Sequence, residues 1–319
     1  MTARPVVLFV DQVHPFLKEN LEKIGYQCVV KPGLDREDLL GLLPGLTGII
    51  VRSRFRLGPE ELSLANSLRF VGRVGSGLEN IDVDYASGRG IACLNSPEGN
   101  RDSVGEHAVG MLLALLNKLC QANAEVSRGC WNREKNRGTE LMGKTMGIVG
   151  YGNTGSALAR CLSGFRMRLL AYDKYKTGFG NQAVSEATME ELFDQADFLS
   201  LHLPLTNETR QLVDLGYLNR FRKNIVLINT SRGQVVNTRD LVTALESGRL
   251  SGAALDVLEY EHLTFEKLEL RELPPPFQYL AAHPRVMMTP HVAGWTHESY
   301  RKLSEVLFEK IRALPLTRA

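Results

Sequence analysis

Much of what marks a secreted, membrane-bound or metal-dependent chain is missing here. The five cysteines among 319 residues (Cys28, Cys93, Cys120, Cys130 and Cys161) are odd in number, scattered and without a Cys-x-x-Cys pair. Neither a disulfide framework nor a metal site is expected from them, and free thiols suit a reducing compartment. Long apolar runs are absent too: the most apolar stretch, Val109 to Leu116, is too short to span a bilayer and runs into Asn117 and Lys118. Met1 to Asp11 has no charged leader or cleavage site before the strand-like Val6-Val7-Leu8-Phe9-Val10, so the expected location is the cytoplasm. No low-complexity tract and no basic stripe with interleaved aromatics occurs, and the net charge is only +2, which argues against nucleic acid as a partner. Hydrophobic residues at 44% and charged residues at 23% are ordinary for a globular protein, and the length allows two domains with substantial cores.

What is present is a glycine loop in an informative context. Gly150-Tyr151-Gly152-Asn153-Thr154-Gly155 follows the apolar Met146-Gly147-Ile148-Val149, a helical pattern comes after it, and Asp173 lies 18 residues beyond Gly155. In that order the motif reads as a dinucleotide site: two glycines let backbone approach a pyrophosphate, the third lets helix pack on strand. The helix N-terminus then offers unpaired N–H groups and a partial positive charge. Asp173, after the strand-like Leu169-Leu170-Ala171-Tyr172, is placed to accept hydrogen bonds from ribose hydroxyls and would repel a 2′-phosphate, so NAD is expected rather than NADP. Some 145 residues precede the loop, so the chain does not open with its cofactor domain.

An α/β rhythm runs on both sides of the loop. Strands are expected at Val6 to Val10, Cys28 to Val30, Gly48 to Val51, Phe70 to Val74 and Ile91 to Cys93, then at Arg168 to Tyr172, Phe198 to Leu203, Ile225 to Asn229, Gly252 to Leu255 and Val286 to Met288. Val104, Ala108, Met111, Leu112, Leu115, Leu116 and Leu119 recur at helical spacing and predict one long, largely buried helix that connects domains or dimerises. Glu259 to Arg285, with Pro274-Pro275-Pro276, reads as long and irregular, and Thr296 to Arg312 as a final helix. The expected fold is two doubly wound parallel-sheet α/β domains: a flavodoxin-like substrate domain (residues 1–101 and 292–319) into which a Rossmann NAD-binding domain (102–291) is inserted.

Three polar residues follow expected strands of the cofactor domain, on the rim where open α/β sheets bind ligands. Arg232, after Asn229-Thr230-Ser231, is placed to grip a carboxylate through two parallel hydrogen bonds. His291, after Met288-Thr289-Pro290, is suited to give and take a proton near neutrality, and Glu261 is a carboxylate that would stabilise its protonated form. In the first domain Arg52, Arg54 and Arg56 cluster at one strand end and Arg73 at the next; such clusters are either surface charge or a phosphate grip.

Seven ordered stretches resemble the D-isomer-specific 2-hydroxyacid dehydrogenase family over essentially the whole chain. They are Val71 to Asp82, Asn95-Ser96-Pro97 through Glu106-His107, the glycine loop, Leu201-His202-Leu203-Pro204-Leu205-Thr206, Asn229-Thr230-Ser231-Arg232-Gly233, Gly252 to Glu261, and Thr289-Pro290-His291. The resemblance implies that Arg232 holds the substrate carboxylate and carbonyl, that His291 is the general acid/base, and that Glu261 orients it. It implies that Asp256 binds the nicotinamide carboxamide, that His202, Pro204, Thr206, Thr209, Thr230 and Gly294 also line the cofactor, and that the Ser76-Gly77 loop offers N–H groups to the substrate carboxylate. Val51-Arg52-Ser53-Arg54, the Arg73 loop and Trp131-Asn132-Arg133 resemble the D-3-phosphoglycerate dehydrogenase branch in particular, without its regulatory domain. That implies oxidation of D-3-phosphoglycerate in serine biosynthesis, a homodimer, and Arg133 reaching the neighbour's site. A glyoxylate or hydroxypyruvate reductase would share the skeleton, and NAD-sensing C-terminal-binding corepressors share the fold. The sequence departs from the family at His262, where proline is usual, and in the long loop that follows.

Overall fold

The computed structural model describes residues 4–261 and 273–315. The chain divides into two compact units at Asn100/Arg101 and again at Gly294/Trp295.

In the first unit, five parallel strands, β1 (Val6–Phe9), β2 (Gln27–Val30), β3 (Gly48–Val51), β4 (Phe70–Arg73) and β5 (Ala92–Asn95), lie in the order β2-β1-β3-β4-β5. Strands covered on both faces need apolar residues throughout, and β3 is buried at all four positions, whereas the edge strand β2 is half-exposed. The order reverses between β1 and β3, and the crevice beyond the carboxyl ends of strands at such a point is where doubly wound sheets bind ligands. One face is closed by the returning helix His297–Arg312, whose Leu303, Leu307, Phe308 and Ile311 join Val7, Phe9, Ile50 and Phe70 in one apolar cluster.

The second unit holds β6 (Thr145–Val149), β7 (Arg168–Tyr172), β8 (Ser185–Glu186), β9 (Phe198–Leu201), β10 (Ile225–Asn229), β11 (Leu250–Leu255) and β12 (Val286–Met288). They form one parallel sheet in the order β12-β11-β10-β9-β6-β7-β8, with apolar clusters on either face. β6, β9 and β10 are buried at every position, and the order reverses between β6 and β9. The glycine loop therefore opens at the switch point of this sheet.

Two local expectations are corrected. The apolar run from Val104 to Leu119 is not one helix: Arg101–Leu116 ends and Leu119–Val126 begins anew, with Lys118 between them in the left-handed region at φ 52°. No glycine or proline marks that break. The segment 259–285 is not wholly irregular either, because Pro275–Ala282 is a helix with prolines in its first turn, where the missing N–H groups would have had no partner. His262 and the ten residues after it lie outside the described residues. Among the described residues no helix is long and apolar enough to cross a membrane.

Candidate active site

Because the strands are parallel, every residue that follows a carboxyl end emerges on the same rim of its sheet. In the second unit the rim carries the glycine loop after β6, Asp173 after β7, His202 after β9, Thr230 and Arg232 after β10, Asp256 and Glu261 after β11, and His291 after β12.

The glycine loop has the shape a dinucleotide needs. Gly150 lies at φ +92°, where a Cβ would sit 2.4 Å from the His202 carbonyl oxygen, and a Cβ on Gly155 would sit 2.1 Å from the Gly150 carbonyl oxygen. Only glycine lets the helix Asn153–Leu162 start so close to β6. A Cβ on Gly152, by contrast, would meet nothing within 4 Å, which leaves the approach to the helix N-terminus open. Asp173 supports the loop directly: its Oδ2 accepts from the Tyr151 N–H (2.8 Å), and its Oδ1 from the Tyr175 (3.0 Å) and Lys176 (3.1 Å) N–H groups. Thr230 has a buried Oγ1 with no hydrogen-bond partner among the described residues, a polar atom at the rim that a ligand would satisfy.

His202 is fully engaged by the protein. Its Nε2 meets Ser200 Oγ at 2.9 Å and its Nδ1 meets Thr154 Oγ1 at 3.1 Å, and burial pushes its pKa down to about 4, so the ring is neutral and ties the first turn of the glycine-loop helix to β9. Pro204, Thr206 and Thr209 form a self-capped turn: Thr206 N–H donates to Thr209 Oγ1 (2.8 Å), which donates to the Pro204 carbonyl (2.6 Å).

His291 and Glu261 are brought together from the ends of neighbouring strands. An ionised carboxylate only accepts, so His291 Nδ1–H donates to Glu261 Oε2 at 2.6 Å, while Glu261 Oε1 accepts from the Leu258 N–H. His291 itself sits at φ 54°, a strained position for a non-glycine residue, held by its N–H donating to the carbonyls of Asp256 (2.8 Å) and Thr289 (3.0 Å). Arg232 is half-buried, with Nη1 donating to the Ser231 carbonyl at 2.7 Å; a Cβ on the next residue, Gly233, would lie 2.0 Å from the Leu258 carbonyl, so the loops after β10 and β11 touch backbone to backbone there.

Asp256 is 1% exposed and holds three hydrogen bonds: Oδ1 accepts from Thr289 Oγ1 (2.5 Å) and the Val292 N–H (2.9 Å), and Oδ2 accepts from the Ala293 N–H (2.8 Å). His107 Nε2 meets Thr289 Oγ1 at 3.1 Å and extends the network. The carboxylate thus clamps the turn that bears His291. Gly294 closes that turn as the last residue of the unit.

In the first unit the rim carries the arginines. Arg52, directly after β3, is fixed through its main chain: its N–H donates to Asp11 Oδ2 (2.6 Å), and its carbonyl accepts from Arg73 Nε (3.1 Å) and Asn80 Nδ2 (3.2 Å). Burial pulls its guanidinium below the ordinary arginine range. Arg54 and Arg56 are exposed. Ser76 Oγ donates to Asn100 Oδ1 (2.7 Å), and the N–H groups of Ser76 and Gly77 have no acceptor among the described residues. Arg133 is exposed on the second unit, and among the described residues nothing ties it to the rim. Asn80, His107 and Thr289 fall within the family-like stretches without a role assigned to them, and Asp11 and Trp295 carried none either; the clearest available signal was that Trp295 is one of only 2 tryptophans.

Residues 109–293 match the family described as D-isomer specific 2-hydroxyacid dehydrogenase, NAD binding domain. The chain belongs to this family. As a member of it, the protein has an NAD-binding second unit, and the open, glycine-lined helix N-terminus and the orphaned Thr230 hydroxyl fit that group. This dehydrogenase-family chain is 32% identical to D-3-phosphoglycerate dehydrogenase of Archaeoglobus fulgidus, over 98% of this chain and 58% of the relative. Against the enzyme of the same name from Homo sapiens it is 34% identical, over 94% of this chain and 54% of the relative. It therefore spans little more than half the length of these relatives. Among solved structures, a D-lactate dehydrogenase of Aquifex aeolicus complexed with NAD and lactic acid superposes with TM-score 0.82 at 27% identity, over 97% of this chain and 94% of that one.

Proposed function

We propose that the protein is an NAD-dependent D-2-hydroxyacid dehydrogenase whose substrate is D-3-phosphoglycerate. The observation that carries the reading is the His291–Glu261 pair, 2.6 Å apart, on the rim that also holds the glycine loop and Arg232. The roles are these. Arg232 grips the substrate carboxylate through parallel N–H donors. His291 Nε2 takes the proton of the C2 hydroxyl during oxidation and returns it during reduction, and Glu261 stabilises the imidazolium formed in between. NAD, when bound, supplies the hydride acceptor. We read the first unit as the substrate domain: its Ser76 and Gly77 N–H groups, without an acceptor among the described residues, and its Arg52, Arg54 and Arg73 offer donors to an anionic substrate. An intact acid/base pair and carboxylate grip favour an enzyme over a binding protein that merely senses NAD.

The assembly we propose is a homodimer in the cytoplasm. The segment from Leu119 to Met142 leaves Leu119 (53%), Val126 (50%), Trp131 (76%) and Met142 (55%) exposed, a run of apolar side chains that a second copy would cover, carrying Arg133 with it. Five free cysteines suit a reducing compartment.

The test is direct. Purified protein given NAD should reduce it on addition of D-3-phosphoglycerate, and His291→Ala should abolish turnover while NAD binding survives. Undiminished turnover in that variant refutes the acid/base assignment. Equal efficiency on D-3-phosphoglycerate and D-glycerate refutes the phosphate reading.

A further inference from the structure

Arg52 is held on three sides. Its main chain is clamped by Asp11, Arg73 and Asn80, and its guanidinium lies over the ring of Trp295, with Cζ 4.1 Å from the ring centroid. Trp295 is itself braced: it tilts against Tyr300 at 6.5 Å, and Tyr300 meets the edge of His14 at 5.5 Å. Yet among the described residues no carboxylate lies within ion-pair distance of the Arg52 side chain. Asp11 attracts the guanidinium only from beyond that distance, with its Oδ2 taken up by the Arg52 N–H, so a partly buried cation held in one pose is incompletely paired until a closer anion arrives. Its place in the fold agrees, because Arg52 directly follows β3 at the β1/β3 reversal, the ligand-binding crevice of a doubly wound sheet.

Stacking engages the face of a guanidinium and leaves its N–H edge for a ligand. We propose that Trp295 is a specificity-determining residue: it positions the Arg52 guanidinium so that its edge meets the anionic group at the end of the substrate remote from the reacting carbon. The proposal rests on the reading of Arg52 as a phosphate ligand. It adds that the arginine alone is insufficient, since a long flexible side chain without its aromatic support spreads over many rotamers and loses more entropy on binding.

The experiment compares the wild type, Trp295→Leu, Trp295→Phe, Arg52→Gln and the Trp295→Leu/Arg52→Gln pair on D-3-phosphoglycerate and D-glycerate. Trp295→Leu should raise KM for the phosphorylated acid about 3- to 30-fold, the range a partly desolvated cation–π contact supplies, with kcat within about twofold and a several-fold smaller effect on D-glycerate. Trp295→Phe should recover part of the loss, and Trp295→Leu should add nothing once Arg52 is glutamine. A loss of equal size on both substrates, or one that persists in the Arg52→Gln background, overturns the proposal. A second measurement does not need turnover. With Trp131→Phe in place, Trp295 is the sole tryptophan, and inorganic phosphate should change its emission saturably, a response absent when Arg52 is glutamine. If neither acid is oxidised but phosphate still titrates Trp295 through Arg52, the assigned reaction fails and the anion site stands; no Arg52-dependent response overturns the site.

Discussion

Asp256→Asn separates two roles for one carboxylate. The family resemblance assigns Asp256 to the nicotinamide carboxamide, whereas the structure shows its oxygens taken by Thr289 Oγ1, the Val292 N–H and the Ala293 N–H, in a residue only 1% exposed. Asparagine keeps one acceptor oxygen. Turned the better way, it serves Thr289 and Val292 and points an NH2 at the Ala293 N–H, losing that bond outright and the charge assistance of the other two. A hydrogen bond to a charged group contributes about 1.5–3 kcal/mol, so the loss should be roughly 2–4 kcal/mol, with a buried donor left unmet. For a unit of this size that lowers its melting temperature by roughly 4–16 °C. Calorimetry of the protein without NAD reads this directly. The turn that loosens also carries His291, whose N–H is held by the Asp256 and Thr289 carbonyls, so kcat should fall together with stability. An unchanged melting temperature without NAD, combined with weakened NAD affinity, would refute the clamp and leave the carboxamide role alone to explain the residue.

Three further outcomes are expected. His202 has a folded pKa near 4 against an ordinary 6.5, so the unfolded chain takes up the proton first; the stability His202 provides is complete above about pH 6.5 and is lost as the pH falls through 4. The loss amounts to about 2–4 kcal/mol, and His202→Asn should flatten that part of a stability-versus-pH curve measured by urea unfolding. Gly233→Ala would put a Cβ 2.0 Å from the Leu258 carbonyl and push apart the loops bearing Arg232 and Glu261; kcat/KM should drop at least about tenfold with NAD binding retained, and wild-type kinetics would contradict the close approach. In a short iodoacetamide pulse at pH 8, the exposed Cys120 and Cys130 should label before Cys28, whose thiol is pushed up to about 11 by burial and by the nearby Glu22; mass spectrometry showing the reverse order would contradict the burial.

The sheets were legible because their central strands are mostly apolar, as strands covered on both faces tend to be, and the glycine loop was legible because its spacing is set by close backbone approach. The rim residues followed from topology: a polar residue just past a parallel strand has only one edge of the sheet to occupy. The break at Lys118 was hidden because an ordinary lysine adopts a left-handed backbone where glycine would have announced it. The helix Pro275–Ala282 was hidden by its own start, since three consecutive prolines read as a loop unless they fall in a first turn. How Asp256 distributes its oxygens and how Trp295 meets Arg52 depend on contacts between residues remote in sequence, which no local pattern encodes.

The return of the chain to its first unit bears on the order of folding. The second unit is complete once Gly294 has been made, whereas the first still lacks the helix His297–Arg312 that supplies Leu303, Leu307, Phe308 and Ile311 to its apolar cluster. During synthesis the unit that begins later can therefore finish earlier, while one apolar face of the first sheet is covered only in part, by Leu17 and Leu21 of the helix Pro15–Lys23. The part of the first unit that precedes the second in the chain therefore depends, for closure of that face, on residues made after the second unit is complete.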